Sequence, residues 1–187
     1  MTAESQPPTD PPIPQRIEVD ADAVSVRRAT PADAESVQAL MLELADHEGL
    51  AHGVRTSTRD WSRMLAQDHV LVLLAFHSER PVGYVSAVRQ LHLWSATDIL
   101  AMDDLFVRSE VRSAGVGTRL MAALAQHASI EGQMLVRWEM EVDNEGAQRF
   151  YRRLGAVVRP KVIATWQPHD YQAHLAASQG GAADSGA

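Results

Sequence analysis

The chain has 187 residues, 45% of them hydrophobic, no cysteine and a formal net charge of −7. This length suits one well-buried domain rather than two, and the lack of cysteine excludes disulfides, thiolate metal sites and a cysteine nucleophile. The negative charge disfavours nonspecific binding of nucleic acid. No apolar run reaches the roughly 20 residues that span a bilayer, and the N-terminus lacks a basic-then-apolar signal pattern, so we expect a cytoplasmic protein without membrane contact.

Both ends of the chain are predicted to lie outside the folded domain. Residues 1–22 contain five of the nine prolines and little apolar content, which is typical of a flexible tail. Residues 172–187 are rich in alanine, glycine and serine and are predicted to be loose, apart from a first turn. The folded domain is therefore expected over residues 23–171.

The first half of this domain carries the pattern of a strand, two helices and a β-hairpin. Thr30 can cap the first helix, with Pro31 at its first position. A turn at 78–81 between two apolar runs indicates the hairpin. The predicted elements, in chain order, are a strand at 23–28, helices beginning at 31 and 58, and strands at 69–76 and 82–88.

The second half alternates strands with helices. The predicted elements, in chain order, are a strand at 98–107, a helix from 118 to about 129, a strand at 134–142, a helix at 145–154 and a last strand near 156–166. Period-two alternation supports the strand at 134–142, and an apolar stripe supports the helix after it.

A glycine-bearing turn, Arg112–Gly117, joins the strand ending at Val107 to the next helix. Such a turn can offer several backbone N–H groups to one phosphate, aided by the partial positive charge of the helix start. Arg108 and Arg112 add full charges beside it. The segment predicts a site for a phosphorylated cofactor, although two glycines at a helix start can also serve strand–helix packing alone. It is not the dinucleotide-binding motif, because Leu120 occupies the third glycine position.

A second motif runs from Asn144 to Ala156. Asp143 or Asn144 can cap a helix there, and Gly155 stands where helices commonly end. The helix has one apolar face at spacing i, i+3, i+4 and i+7, formed by Ala147, Phe150, Tyr151 and Leu154.

These two motifs together resemble the cofactor side of the GCN5-related N-acetyltransferase (GNAT) superfamily. The resemblance implies an α/β fold with a mixed central sheet of six or seven strands and about four helices, in the order β-α-α-β-β-β-α-β-α-β. It also implies acetyl-CoA as the acyl-donor substrate, with its pantetheine arm entering where parallel strands at 99–107 and 134–142 splay apart. The cofactor-binding residues implied are Phe106, Val107, Arg112, Ser113, Ala114, Gly115, Val116, Gly117, Thr118 and Asn144.

Tyr151 matches the tyrosine that commonly acts as the general acid toward the departing thiolate in this superfamily. A phenol with a pKa near 10 suits that role. The alternative is a core aromatic paired with Phe150. Asn144 could contact the pantetheine arm, cap the helix, or do both.

Asp103 and Asp104 are the second candidate pair. The stretch Asp103–Val107, like Glu43–Glu48, resembles the diamine (spermidine/spermine-type) branch of the superfamily. That likeness implies that Asp103 helps to deprotonate the amine, through water; the alternative is a solvated or salt-bridged carboxylate. Because adjacent strand residues point to opposite faces, only one of the two is expected to face the acceptor. The basic stretch Val157–Lys161 departs from that branch.

Charge is divided unevenly along the chain. Residues 108–161 hold nine Arg and Lys against six Asp and Glu, whereas the remainder is strongly acidic. An anionic cofactor and a cationic acceptor would explain this division, and an accidental scatter of surface charge is the alternative. His47 and His52 could form a base or ligand pair, but their spacing matches no standard zinc pattern, so no metal is expected.

The predicted function is acetyl-CoA-dependent transfer of an acetyl group to a primary amine of a small cationic acceptor, by direct attack on the thioester. Asp46 or Glu48 would help Asp103 to hold the acceptor. Three alternatives stay open: acylation of a protein N-terminus or lysine, an acyl donor such as aminoacyl-tRNA, and a non-catalytic acyl-CoA-binding module. The resemblance also makes a homodimer one option.

Overall fold

The computed structural model describes residues 23–112 and 114–180. These residues form two compact units, one ending at Glu139 and one beginning at Met140. The predictions for the tail at 1–22, for residue Ser113 and for residues 181–187 fall outside the described residues. Within the described ranges, no helix is both long and apolar enough to cross a membrane.

The first unit is built on a five-stranded sheet in the order β1-β2-β3-β4-β5. The first four strands pair antiparallel, and β5 pairs parallel to β4, which confirms the mixed sheet. The predicted hairpin is also present, with Ser78 and Glu79 at positive φ between its strands, a geometry that suits a two-residue hairpin turn. The strands are β1 Val24–Arg28, β2 Val70–His77, β3 Arg80–His92, β4 Thr97–Val107 and β5 Leu135–Arg137.

Helices cover both faces of this sheet. They are α1 Ala34–His47, α2 Thr58–Leu65 and α3 Val116–Ile130. Consecutive residues Leu71–Ala75 of β2 are all buried, which requires cover on both faces. One face packs against α1 and α2 in a cluster that includes Leu40, Trp61, Tyr84 and Phe106.

The start of α1 follows the predicted capping pattern. Thr30 donates its backbone N–H and its hydroxyl to the Asp33 carboxylate, both at 2.8 Å. A single 3₁₀ turn, Pro31–Asp33, precedes the α-helix, so the helix proper begins at Ala34. Arg27 also donates to Asp33, at 2.6 and 2.9 Å, and this pairing holds the pKa of the Asp33 carboxyl well below its usual range.

Residues 140–180 of the second unit form two helices, α4 Glu145–Arg153 and α5 Pro168–Gly180. The first lies where the sequence predicts a helix at 145–154. The second corrects the expectation that residues after 171 are loose. Pro168 at its first position and several alanines favour a helix, and both signals are present in the sequence.

Two predicted strands differ from the structure. The strand expected at 134–142 is confined to Leu135–Arg137, and the last strand near 156–166 is not formed. The sheet of the described residues therefore has five strands rather than six or seven. A strand needs a neighbouring strand to hydrogen-bond with its backbone groups. The alternation of apolar and polar residues from Trp138 to Val142 does not by itself provide that neighbour.

Candidate active site

The turn between β4 and α3 has the geometry that its glycines predict. A 3₁₀ turn, Ser109–Val111, follows β4, and α3 begins at Val116 directly after Gly115, whose φ of +75° lies in the left-handed region. Arg119 donates its backbone N–H to the Gly115 carbonyl at 3.0 Å. The N–H groups ahead of it, at 116–118, therefore lie at the start of the helix and point along its axis. We call Arg112–Thr118 the glycine loop.

Of the two arginines beside the glycine loop, one is committed elsewhere. Arg108 donates to both carboxylate oxygens of Glu43 on α1, at 2.8 and 2.5 Å, and to the Pro81 carbonyl at 2.7 Å. Its hydrogen bonds to Glu43 raise the pKa of Arg108. The guanidinium thus ties α1 to the end of β4, which corrects the expectation that it adds free charge to the phosphate site. Arg112 is exposed and donates from Nε to the Val107 carbonyl at 3.0 Å.

The parallel pairing of β4 and β5 in the first unit ends well before β4 does. Pairing between β4 and β5 runs only from Ile99–Leu135 to Ala101–Arg137, while β4 continues to Val107. On its other edge β4 stays paired with β3 up to that residue. Among the described residues, no strand pairs with residues 102–107 of β4 on the β5 side.

Gly83 on β3 allows the two backbones to approach closely at the end of β4. A Cβ at this position would lie 2.6 Å from the Phe106 carbonyl oxygen and 3.3 Å from the Val107 Cα. The Phe106 ring itself is buried against Tyr84. Sequence reasoning missed Gly83, although an isolated glycine inside a strand pattern is a known signal of close backbone approach.

A β-bulge in β4 changes the orientation of the two aspartates. Val85 pairs with Leu105 and Ala87 with Met102, so Asp103 and Asp104 together stand opposite the single residue Ser86. The bulge removes the strict alternation on which the opposite-face expectation rested. Hydrogen bonds from Tyr84 and Ser86 place the Asp104 carboxylate on their face of the sheet, the face that α1 and α2 cover. The charge of Asp103 also acts on Tyr84. We call Asp103–Asp104 the acidic bulge.

Two buried hydroxyl groups hold the Asp104 carboxylate. Tyr84 donates its hydroxyl to Oδ2 at 3.0 Å, and Ser86 donates to the same oxygen at 3.2 Å. The Asp104 backbone N–H in turn donates to the Ser86 Oγ at 3.1 Å. Both Tyr84 and Ser86 are buried, at 0% and 6% exposure, so the carboxylate rests on a fixed support.

Negative charge is concentrated around this support. Burial raises the pKa of Tyr84 strongly, and the charges of Asp104, Glu48 and Asp103 raise it further. Asp103 lies at the surface, yet partial withdrawal from water and the charge of Asp104 raise the pKa of its carboxyl. In the described part of the chain, no Arg or Lys forms an ion pair with Asp103, Asp104 or Glu48.

One cavity of the first unit adjoins the predicted site. A cavity of about 190 Å³ lies between the end of α1 and the end of β4, lined by Glu43, His47, Phe106, Arg108, Ser109, Glu110 and Arg112. His47 therefore borders it, whereas His52 does not. A larger cavity of about 550 Å³ lies at the opposite end of β4, near the β3–β4 hairpin, and has none of the predicted site residues in its lining. Among the residues described, no group of three His, Asp or Glu side chains could hold a metal ion.

The second unit places Asn144 and Tyr151 at the start and in the body of α4. Asn144 accepts a hydrogen bond from the Ala147 backbone N–H at 3.0 Å, so it caps the helix. Tyr151 is buried, with its ring edge-on to Phe150 at 5.1 Å between centroids. Burial raises the pKa of the Tyr151 hydroxyl to about 12, so the group carries its proton at neutral pH. Gly155, at φ +89°, ends the helix as predicted.

Comparison with known proteins assigns the chain to a family. The sequence profile of the Acetyltransferase (GNAT) family matches residues 37–156. The chain is 30% identical over 130 residues to the aminoalkylphosphonate N-acetyltransferase of Salmonella typhimurium, covering 70% of this chain and 82% of that protein.

Solved structures agree on the fold. An aminoglycoside acetyltransferase from an uncultured soil metagenomic sample superposes with a TM-score of 0.70 at 17% identity, covering 78% of this chain and 96% of that one. The aminoglycoside N-acetyltransferase AAC(6′)-Iy in complex with CoA gives a TM-score of 0.65 at 19% identity, covering 78% and 95%. The family profile and the Salmonella relative show that the chain belongs to the GNAT family and is an N-acetyltransferase.

Proposed function

We propose that this N-acetyltransferase uses acetyl-CoA to acetylate a primary amine on a small, cationic acceptor. The observation that carries the proposal is the acidic bulge, in which two neighbouring residues with carboxylates stand opposite Ser86 and act electrostatically on Tyr84. Neither carboxylate is neutralised by a cationic side chain of the described chain. Such a surface favours an ammonium group over a neutral or anionic one.

The glycine loop and the free edge of β4 support acetyl-CoA as the donor. Backbone N–H groups at the start of α3 would hold the pyrophosphate, with Arg112 beside them. The edge of β4 that β5 leaves unpaired would receive the pantetheine arm along Phe106 and Val107. Because Arg112 already occupies the Val107 carbonyl, the arm would rely on the other backbone groups of this edge. Asn144 would serve the arm in addition to capping α4.

The reaction needs one base and one acid. The acceptor ammonium loses a proton to Asp103, through water, and the neutral amine then attacks the thioester carbonyl carbon. The attack leaves an extra proton on the nitrogen. As the carbon–sulfur bond breaks, the leaving thiolate takes a proton from Tyr151, and the nitrogen loses its extra proton to water, from which the tyrosinate is reprotonated. The products are the neutral amide, the CoA thiol and the proton taken up by Asp103. The raised pKa of Asp103 makes it a stronger base than an ordinary aspartate, and Tyr151 is protonated at neutral pH.

A CoA-release screen tests this proposal. The panel contains diamines and polyamines, amino acids, aminoalkylphosphonates like the acceptor named for the Salmonella relative, aminosugars and peptides, with mass spectrometry of each product. Release with small cationic amines and a mass gain of one acetyl group would support it. Preferential acetylation of peptides, or acetyl-CoA binding without release from any amine, would contradict it in favour of a protein acetyltransferase or a binding module.

We also propose a cytoplasmic location and a homodimer. Cell fractionation would test the location, and sedimentation analysis of the purified protein would test the dimer. A fully active monomer would contradict the proposed homodimer.

A further inference from the structure

We infer that Tyr84 and Ser86 are positioning residues that orient Asp104 to hold the charged end of the acceptor, while Asp103 accepts the proton of the reacting amine. This inference rests on the proposed function, because it divides two tasks between the two residues of the acidic bulge. Its starting point is the unequal support of the two carboxylates. Asp104 accepts two hydroxyl hydrogen bonds, whereas no hydrogen bond to the Asp103 side chain occurs in the described part of the chain.

The two oxygens of Asp104 have different surroundings. Oδ2 accepts from both Tyr84 and Ser86, and no donor among the described residues reaches Oδ1. Two donors on one oxygen fix the carboxylate plane and leave the second oxygen available to an ammonium group. Because the donors are neutral, they orient the carboxylate without cancelling its charge.

The bulge itself depends on the same residues. An inserted residue leaves a backbone N–H without its partner in the strand ladder. Here the backbone N–H of Asp104 donates to the Ser86 Oγ instead. The Tyr84 ring is fully buried in the cluster shared with α1 and α2, so its hydroxyl has little freedom to move. A buried phenol needs a hydrogen-bond partner, and here that partner is the carboxylate that would meet the acceptor.

A purely structural role would have different consequences. If Asp104 only satisfied two buried hydroxyls, then losing one hydroxyl would lower stability and affect all acceptors equally. If Tyr84 and Ser86 orient a cation-holding carboxylate, the loss should depend on the charge of the acceptor. The effect of removing either hydroxyl should also disappear when the Asp104 charge is absent.

The experiment compares two acceptors on purified full-length protein. One is a diamine, which is cationic at the assay pH, and the other is 2,2,2-trifluoroethylamine, a weakly basic amine that is largely neutral there. We expect Tyr84→Phe and Ser86→Ala each to raise the KM for the diamine by about tenfold, the loss typical of one hydrogen bond to a charged group. The kcat, the KM for acetyl-CoA and the KM for trifluoroethylamine should change less than twofold. Tyr171→Phe, which removes a tyrosine hydroxyl from α5, is the matched control.

Two further variants keep the inference falsifiable. Ser86→Thr retains the hydroxyl and should restore the diamine KM, and Tyr84→Phe should have no further effect once Asp104→Asn has removed the charge. Equal losses for both amines, or a full Tyr84→Phe effect in the Asp104→Asn background, would overturn the inference while leaving the proposed function intact. A wild-type protein that acetylates no amine would overturn both.

Discussion

The acidic bulge and the glycine loop belong to one continuous stretch of chain, yet they present opposite chemistry. The glycine loop offers backbone N–H groups at the start of α3, which favour an anion. The acidic bulge offers carboxylates, one of them held by buried hydroxyls, which favour a cation. One region acts through backbone geometry and the other through side-chain orientation. Substitutions should therefore separate donor binding from acceptor binding.

The largest expected effect on catalysis comes from Tyr151, which lies outside both regions and is the proposed proton donor to the leaving thiolate. Tyr151→Phe removes the proposed acid and keeps the ring that packs against Phe150. We expect kcat to fall by about 10²–10⁴-fold, with the affinities for acetyl-CoA and acceptor little changed. Steady-state kinetics with Tyr171→Phe as control would measure this, and near-native turnover would show that Tyr151 serves packing alone.

The next effect falls on the acidic bulge. Asp103→Asn preserves shape and removes the proposed base, so kcat/KM for a cationic amine should fall by about 10²-fold. An aspartate base acts only when ionised, and the pKa of Asp103 is raised. Wild-type activity should therefore fall on the acid side at a higher pH than an ordinary aspartate would give. The Asn variant should lose that acid limb, and an unchanged pH profile would refute Asp103 as the base.

A smaller effect is expected where the backbone of β3 meets that of β4. Gly83→Ala would place a Cβ 2.6 Å from the Phe106 carbonyl oxygen, which forces a backbone shift. Overpacking of this kind costs about 1–3 kcal/mol, and each kcal/mol lowers Tm by roughly 2–4 °C in a protein of this size. Thermal unfolding of Gly83→Ala and Gly53→Ala gives the comparison, because Gly53 has open space around it. Equal melting temperatures would show that the approach at Gly83 carries no constraint.

The smallest effect is expected at the glycine loop. Gly117→Glu places a negative charge at the start of α3, where the phosphates would bind. Interactions with a helix terminus reach up to about 2 kcal/mol, so acetyl-CoA affinity should fall by roughly tenfold or somewhat more. Calorimetry would measure it, with Gly53→Glu as a control of equal charge. Unchanged affinity in a folded Gly117→Glu variant would remove the pyrophosphate assignment.

Features that depend on neighbouring residues in sequence were predictable. The capping pattern at Thr30 and Pro31 predicts the start of α1, and the apolar run at 71–75 predicts β2. The Asn144 cap and the Gly155 terminus frame α4 as predicted. The motifs of the glycine loop and of α4 were sufficient to predict the family.

Features that depend on distant pairing were not predictable. The acidic bulge exists because two residues of β4 oppose Ser86 on β3, and a single strand pattern carries no information about that register. Arg108 pairs with Glu43, which is 65 positions away. The alternation at 138–142 matches a strand, but strand formation also requires a partner, and the pairing of β4 with β5 ends at Ala101 and Arg137.

We propose that this N-acetyltransferase selects a cationic acceptor through the acidic bulge. The most direct measurement is the ratio of kcat/KM for butane-1,4-diamine to that for 4-aminobutan-1-ol, which has the same reacting amine and a neutral far end. We predict that wild-type protein prefers the diamine by about tenfold or more, the effect of one charge-assisted contact, and that Asp104→Asn brings the ratio close to one. A wild-type ratio near one, or a preference that survives Asp104→Asn, would contradict the claim.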